Sequence, residues 1–307
     1  MSTLKHSTTV GSFSRRSLLK GLMGGTGLAV ISPVSLQASS HVPSYAEIPS
    51  VLVDLQRCIG CRACMRACKT ANELPNTTEL SEGFPESWVR EELRFDQWTV
   101  VNPETGMDYD GHEVTRNVKR QCMQCLEPVC VSVCPVGALT KSELGSILYN
   151  EDRCIGCRYC VMACPFDIPK FEWTSGMSPV IGKCQLCTRK RLAEGRIPAC
   201  VEACPTGALK FGQRSALLFE AQSRIKTHPD RYIDHVYGET EAGGTAWLYL
   251  SDTPFENLGF KTDLEVAPMP NLTWDVLSKI PIVAAVMAGL FGTLSLSLSR
   301  GDKGRSE

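Results

Sequence analysis

Apolar positions are spread unevenly along the chain, and their spacing predicts distinct elements. Near the start, an apolar, glycine-rich stretch covers residues 22–31 and is followed by Pro33. Near the end, residues 280–299 form a 20-residue run without charge. As a helix rising about 1.5 Å per residue, that run reaches about 30 Å, one hydrocarbon thickness. Between the ends, residues 89–101 and 114–118 are rich in strand formers, with turn signals at Asn102-Pro-Glu-Thr-Gly106 and Asp110-Gly111. They predict a hairpin, with Trp88 and Trp98 as packing residues. Leu217, Leu218, Ala221 and Ile225 recur on one side of a helix predicted over residues 215–226.

Charge changes the reading of both ends. Ser14-Arg15-Arg16-Ser17-Leu18-Leu19-Lys20 precedes the first apolar stretch, and the small residues Ala38-Ser39-Ser40 follow it. This order resembles a twin-arginine export signal and is expected to occupy residues 1–40. The second run lies between Trp274 and Lys279 on one side and Arg300, Lys303 and Arg305 on the other. Pro281 falls in its first turn, where a missing N–H costs little. The expected reading is a transmembrane anchor over residues 275–299 and a cytoplasmic tail over 300–307. The body, residues 41–270, then lies on the far side of the membrane, in agreement with the export signal. A buried core helix is the competing reading. Ser295, Ser297, Ser299, Gly289 and Gly292 suit a face packed on a partner helix.

Composition adds one decisive number. Hydrophobic residues make up 43% of 307 positions and the net charge is −1, so nothing chain-wide points to nucleic acid. There are 16 cysteines, all between residues 58 and 204 and all in four groups. The first group is Cys58, Cys61, Cys64, Cys68; the third is Cys154, Cys157, Cys160, Cys164, with Pro165 next. Both have the C-x2-C-x2-C-x3-C run of dicluster ferredoxins. The second group is Cys122, Cys125, Cys130, Cys134 and the fourth is Cys184, Cys187, Cys200, Cys204. These two lengthen the spacing before the third cysteine but keep the final x3 and the proline. Three close thiolates wrap three corners of one cubane, while the fourth points away and ligates a neighbouring cluster. Zinc sites leave the x2-C-x3-C continuation unexplained. Three thiols within seven residues make a poor disulfide framework. No group carries a substitute residue, so four [4Fe–4S] clusters are expected. An internal repeat runs through the motifs. Cys-Ile-Gly-Cys-Arg-x-Cys-x-x-Ala-Cys occurs at 58–68 and 154–164, and Cys-Val-x-x-Cys-Pro-x-Gly-Ala-Leu at 130–139 and 200–209. The expected fold is α+β: duplicated dicluster-ferredoxin-like modules, short strands after each Pro-x-Gly-Ala-Leu, and an insert at 70–121.

With these motifs the chain resembles the four-cluster iron–sulfur subunits of membrane-bound oxidoreductases. They include the formate dehydrogenase, dimethyl sulfoxide reductase and polysulfide reductase types and the periplasmic hydrogenase-2 type, which combines the same signal, clusters and C-terminal span. The similarity extends through His235-Val-Tyr-Gly-Glu-Thr-Glu-Ala-Gly-Gly-Thr245 and Pro254-Phe-Glu-Asn-Leu258. The resemblance implies a nested ligation. One cluster takes Cys58, Cys61, Cys64 and Cys204, and another Cys122, Cys125, Cys130 and Cys164. A third takes Cys154, Cys157, Cys160 and Cys134, and the last Cys184, Cys187, Cys200 and Cys68. The spacing by itself equally allows first with second and third with fourth. The resemblance also implies single-electron transfer between a catalytic subunit, foremost a nickel–iron hydrogenase, and an integral membrane subunit that handles quinone. A formate dehydrogenase-like or multihaem cytochrome complex is the alternative partner, and a cluster-stabilised scaffold the alternative role.

Basic residues crowd the motifs: Arg57, Arg62, Arg66 and Lys69; Lys119 and Arg120; Arg153 and Arg158; Lys183, Arg189, Lys190 and Arg191. Some of these charges, Arg62 and Arg158 foremost, are candidates for raising local reduction potentials, against the plainer reading of a solvated face. Ile59 and Ile155 are candidates for apolar cover over sulfur. The five histidines stand away from the cysteines and read as structural or surface groups. No phosphate-cradling loop, activated nucleophile or flavin fingerprint is present, so the sequence predicts a relay with no catalytic site of its own.

Overall fold

The structure is a computed structural model that describes residues 45–75, 90–108, 110–174 and 180–303. Side chains are described up to residue 293, apart from 273 and 275. The expected export signal, Trp88 and Arg305 lie outside the described residues. In chain order the elements are β1 (Pro49–Asp54), α1 (Ala63–Asn72), β2 (Thr99–Met107), β3 (Glu113–Gln121), α2 (Val129–Ser132), β4 (Leu139–Lys141), β5 (Ile147–Tyr149) and α3 (Tyr159–Ala163). There follow β6 (Lys170–Phe171), β7 (Ile181–Gly182), α4 (Ala199–Glu202), β8 (Leu209–Gln213), α5 (Arg214–Thr227), β9 (Trp247–Leu250), α6 (Met269–Leu277) and α7 (Ile280–Lys303).

One three-stranded sheet, ordered β8–β1–β9, organises the body. β1 runs antiparallel to β8 and parallel to β9. As the central strand it is buried on both faces, which its Val-Leu-Val core requires. Side chains alternate across the sheet. Val51, Val53, Trp247 and Tyr249 join the core that contains Cys64, Cys122, Cys184 and Cys200. Leu52, Leu248 and Leu250 face the other way, onto Leu217, Ala221 and Ile225 of α5. The helix expected at 215–226 is therefore present and buries the expected face, with Leu218 packed at its margin. One side of the sheet is sealed by α5 and the other carries the cysteines.

The duplication is realised as one unit inside another. The outer unit joins β1 and α1 to α4 and β8; the inner joins α2 and β4 to β5 and α3. A strand does follow each Pro-x-Gly-Ala-Leu: β4 pairs with β5, and β8 with β1.

The hairpin exists, and of its two turn signals only Asp110-Gly111 lies at the reversal. β2 and β3 pair from Thr99↔Gln121 to Met107↔Glu113, so Asn102-Pro-Glu-Thr-Gly106 lies within a strand. Asn102 does not turn the chain because its side chain is engaged with Glu91, accepting from its backbone N at 2.8 Å and donating to its O at 2.7 Å. Pro103 is tolerated because a two-stranded ribbon is edge on both sides. The reversal falls at Asp108–His112, where the Asp108 carboxylate accepts from His112 N at 2.8 Å and Gly111 has φ +79°. Strand pairing also starts late: Arg94 to Gln97 form a tight bridge and Trp98 is half-buried, its Nε1 donating to Phe95 O at 2.8 Å.

The C-terminal apolar run is helical in α7, and the large apolar side chains from Ile280 to Phe291 are exposed. Among the described residues, no helix is long and apolar enough to cross a membrane.

The shared block at residues 235–245 is a tight loop closed by His235, whose Nε2 lies 2.8 Å from Glu241 Oε1. Glu241 Oε2 accepts from Gly238 N at 2.7 Å. Gly238 has φ +97°, and a Cβ there would sit 2.3 Å from Trp247 O. We expect Gly238→Ala to cost about 3 kcal/mol or more, read as a lowered thermal midpoint. The His235 contact makes stability depend on pH. The bond to Glu241, opposed by burial, raises the His235 pKa above 6.5. Its contribution is full below about pH 6.5 and is lost as pH rises through the folded-state value. Burial pushes Glu241 up, but His235 and two backbone N–H groups outweigh it and hold its pKa below 4.5. That contribution is lost only as pH falls through the lowered value. Wild type should therefore exceed His235→Gln in thermal midpoint most clearly near about pH 5.5, and the gap should narrow above about pH 8.

Candidate metal centre

Local backbone geometry presents the thiols. A 3-10 turn leads into each repeat, at Leu55–Arg57 and Glu151–Arg153. Asp54 accepts from Gln56 N at 3.2 Å and Asn150 from Asp152 N at 3.0 Å, so the same capping is used twice. Beyond the first cysteine the chain turns through left-handed residues, Gly60 and Arg62 in one copy and Gly156 and Arg158 in the other. Gly60 leaves room for Asn117, whose Nδ2 donates to Cys58 O at 3.2 Å. Helices α1 and α3 then carry Cys64, Cys68 and Cys160, while α2 and α4 carry Cys130 and Cys200.

The last cysteine of the second and fourth groups sits in a ring of backbone donors, which accounts for the repeated Pro-x-Gly-Ala-Leu. Burial pushes the Cys134 thiol up, but N–H groups of Leu139, Ala138, Val136 and Gly137 outweigh it and leave its pKa lowered. Ala138 N is 3.2 Å from its sulfur. Burial likewise opposes a lowered pKa at Cys204, where Leu209 N, the Thr206 hydroxyl and N–H, and Ala208 N favour the thiolate. Gly137 and Gly207, at φ +60° and +62°, let the backbone curl its N–H groups inward.

The thiols converge in four quartets. Cys58, Cys61, Cys64 and Cys204 line one cavity. Cys68, Cys184, Cys187 and Cys200 line a second, and Cys134, Cys154, Cys157 and Cys160 a third. Cys125 has Cys122, Cys164 and Cys130 as its neighbouring thiols, which makes the fourth. All sixteen are free thiols. Neighbours across quartets set a linear order. Cys64 is near enough to act electrostatically on Cys200, Cys122 on Cys184, and Cys160 on Cys130. The 58/61/64/204 quartet is thus at one end, followed by 68/184/187/200, then 122/125/130/164, with 134/154/157/160 at the other end.

Electrostatics shows what such cradles suit. Burial drives most thiols upward: Cys58, Cys160, Cys164 and Cys200 to about 11, and Cys130 and Cys184 to about 12. Crowded, desolvated thiols resist ionisation unless a cation draws the charge. Two lysines are buried among them, Lys119 at 2% exposure and Lys183 at 1%. Burial pushes Lys119 down, but Cys200, Cys64, Tyr249 and Cys184 outweigh it and raise its pKa. Lys183 donates to Ile147 O at 2.6 Å, and its charge partly offsets the rise at Cys130. Further donors touch sulfur: Leu186 N to Cys184 at 3.3 Å and Asn72 Nδ2 to Cys68 at 3.6 Å. Four converging sulfurs with aimed N–H groups and buried positive charge fit an anionic iron–sulfur cubane.

The four other candidates are placed unequally. Arg62 is buried under the hairpin, its Nε donating to Val101 O at 3.3 Å, and it lines the first cavity. Its repeat partner Arg158 is exposed and stacks over Trp173 at 5.0 Å and Phe171 at 5.5 Å. Ile59 and Ile155 line their cavities but are each 64% exposed, so they form an outer rim. Sequence reasoning placed Lys119 and Lys183 among the basic residues around the cysteines, some of which it expected to raise reduction potentials, without singling either out, and it passed over Asn72, Gln124 and Trp247. Gln124 ties the units together, donating to Cys184 O at 2.6 Å and accepting from Ile147 N at 2.7 Å. Nothing in the local pattern separates buried Lys119 from Arg120 beside it; only the pairing of the hairpin turns it inward.

Comparison with known proteins agrees with this chemistry. Residues 115–214 match the family described as 4Fe-4S dicluster domain, and residues 49–70 the 4Fe-4S binding domain. A protein of Nitratidesulfovibrio vulgaris is 43% identical over 272 residues, covering 86% of this chain and 72% of that one. Hydrogenase-2 operon protein HybA of Escherichia coli O157:H7 is 34% identical over 312 residues, covering 90% and 93%. The formate dehydrogenase-O iron-sulfur subunit of Escherichia coli K12 is 30% identical over 284 residues, covering 87% and 90%. With quartets of converging thiols and relatives aligned over 72% to 93% of their length, this chain belongs to the family of 4Fe-4S electron-transfer subunits of oxidoreductase complexes.

Proposed function

We propose that the protein holds four [4Fe–4S] clusters, one per quartet, and relays single electrons between a catalytic subunit and a quinone-handling membrane subunit. The observation that carries this reading is the linear series of four thiol quartets. Bound there, the clusters supply one-electron redox chemistry. The chain's own residues do the rest: sixteen cysteines fix positions, the Pro-x-Gly-Ala-Leu loops orient the last sulfur of two groups, and the β8–β1–β9 sheet keeps water from the middle of the series.

The relative named for the hydrogenase-2 operon favours a nickel–iron hydrogenase as catalytic partner, and the formate dehydrogenase relative supports the alternative. The twin-arginine pattern favours export of the folded, loaded protein. The uncharged run with basic residues after it favours anchoring by α7, with the body on the periplasmic side of the cytoplasmic membrane. Exposed Ile282, Val283, Val286, Leu290 and Phe291 support a lipid or partner-helix environment for that helix.

Anaerobically purified protein should contain about sixteen iron and sixteen acid-labile sulfide per chain. The nested ligation makes a sharper demand. Cys68→Ser, Cys184→Ser and the double variant should each lose the same single cluster, about four iron. Loss of about eight iron by the double variant would establish the sequential pairing instead. In the intact complex, hydrogen should reduce the clusters in the EPR spectrum. Reduction by formate alone would transfer the assignment to the alternative partner, and clusters that stay oxidised with both would leave a scaffold.

A further inference from the structure

Lys119 stands where two quartets meet. It lines the cavity of Cys58, Cys61, Cys64 and Cys204 and also that of Cys68, Cys184, Cys187 and Cys200. Its Nζ donates to Thr99 Oγ1 at 2.6 Å and Gln121 Oε1 at 2.7 Å, and lies 4.6 Å from the Trp247 ring. Both oxygen partners are neutral. Among the described residues, no carboxylate pairs with it. An ammonium taken out of water without an anion costs several kcal/mol. Trp247 adds an independent sign. It is fully buried on the wall of the second cavity, and among the described residues its buried Nε1 has no acceptor. The cation and the N–H lack the same thing, a negative object with acceptor sulfurs.

We propose that Lys119 is a shared potential-setting residue. Its fixed charge stabilises the reduced form of both adjoining clusters, and Trp247 Nε1 donates to a sulfur of the cluster held by Cys68, Cys184, Cys187 and Cys200. The inference rests on the relay reading above. Each reduction adds one electron and one negative charge; Lys119 keeps its proton and supplies the compensation, so no other reactant enters.

EPR-monitored potentiometry of the cluster-loaded protein tests this on wild type, Lys119→Met, Lys119→Gln and Trp247→Phe. Either Lys119 variant should lower two of the four midpoints by at least about 59 mV, a tenfold fall in the one-electron reduction constant. The other two midpoints should stay put. Trp247→Phe should lower one midpoint, and it should belong to the same pair. Unchanged midpoints, or an equal shift of all four, overturn the proposal. If neither Lys119 variant keeps its clusters, Trp247→Phe decides, and unmoved midpoints there overturn it. Wild-type protein without reducible clusters would instead defeat the relay reading itself.

Discussion

The pairing of β1 with β8 is the constraint on which the rest depends. Cys58 follows β1 and Cys204 precedes β8, and the two reach one quartet only because Val53 sits opposite Leu209 and Asp54 N bonds Ala208 O at 2.8 Å. The same register brings α4 beside α1, which places Cys200 within reach of Cys68. Two quartets therefore hang on one strand pair whose partners are far apart in sequence. Burial of Val51 and Val53 on one face and Leu52 on the other fixes that register, because a slip of one residue would exchange the two cores.

Much of the site was legible because its chemistry is local. The cysteine spacing, the glycines that allow left-handed turns and the repeated Pro-x-Gly-Ala-Leu each act within a few residues, and the structure uses all of them. The helix from Arg214 was legible for the same reason, since Leu217, Ala221 and Ile225 declare one face. Distant pairing was not legible. Asn102-Pro-Glu-Thr-Gly106 carries turn residues, yet contact with Glu91 and with the 255–258 turn holds it extended. Lys119 carries the chemistry of a surface residue, yet the hairpin folds it against two sets of thiols.

The two copies of the repeat have been treated differently by their surroundings. In the first, the β2–β3 hairpin covers Arg62 and Met65, and Val101 N approaches the Met65 sulfur at 3.2 Å. In the second, Arg158 stacks on Phe171 and Trp173 instead, and Arg158, Tyr159 and Met162 stand exposed. Identical motifs thus give differently solvated ends to the series. Solvation and nearby charge are two of the levers by which a protein sets the potential of a cluster it holds.

The nesting of one unit inside the other also has a temporal side. Every sulfur of the inner quartets lies between Cys122 and Cys164, whereas the outer quartets need both Cys58 to Cys68 and Cys184 to Cys204. On a ribosome, the inner pair is complete some forty residues before the outer pair can close. The first cysteines made must wait longest for their last partner. Until then they are exposed thiols on a growing chain, dependent on whatever keeps them reduced and apart.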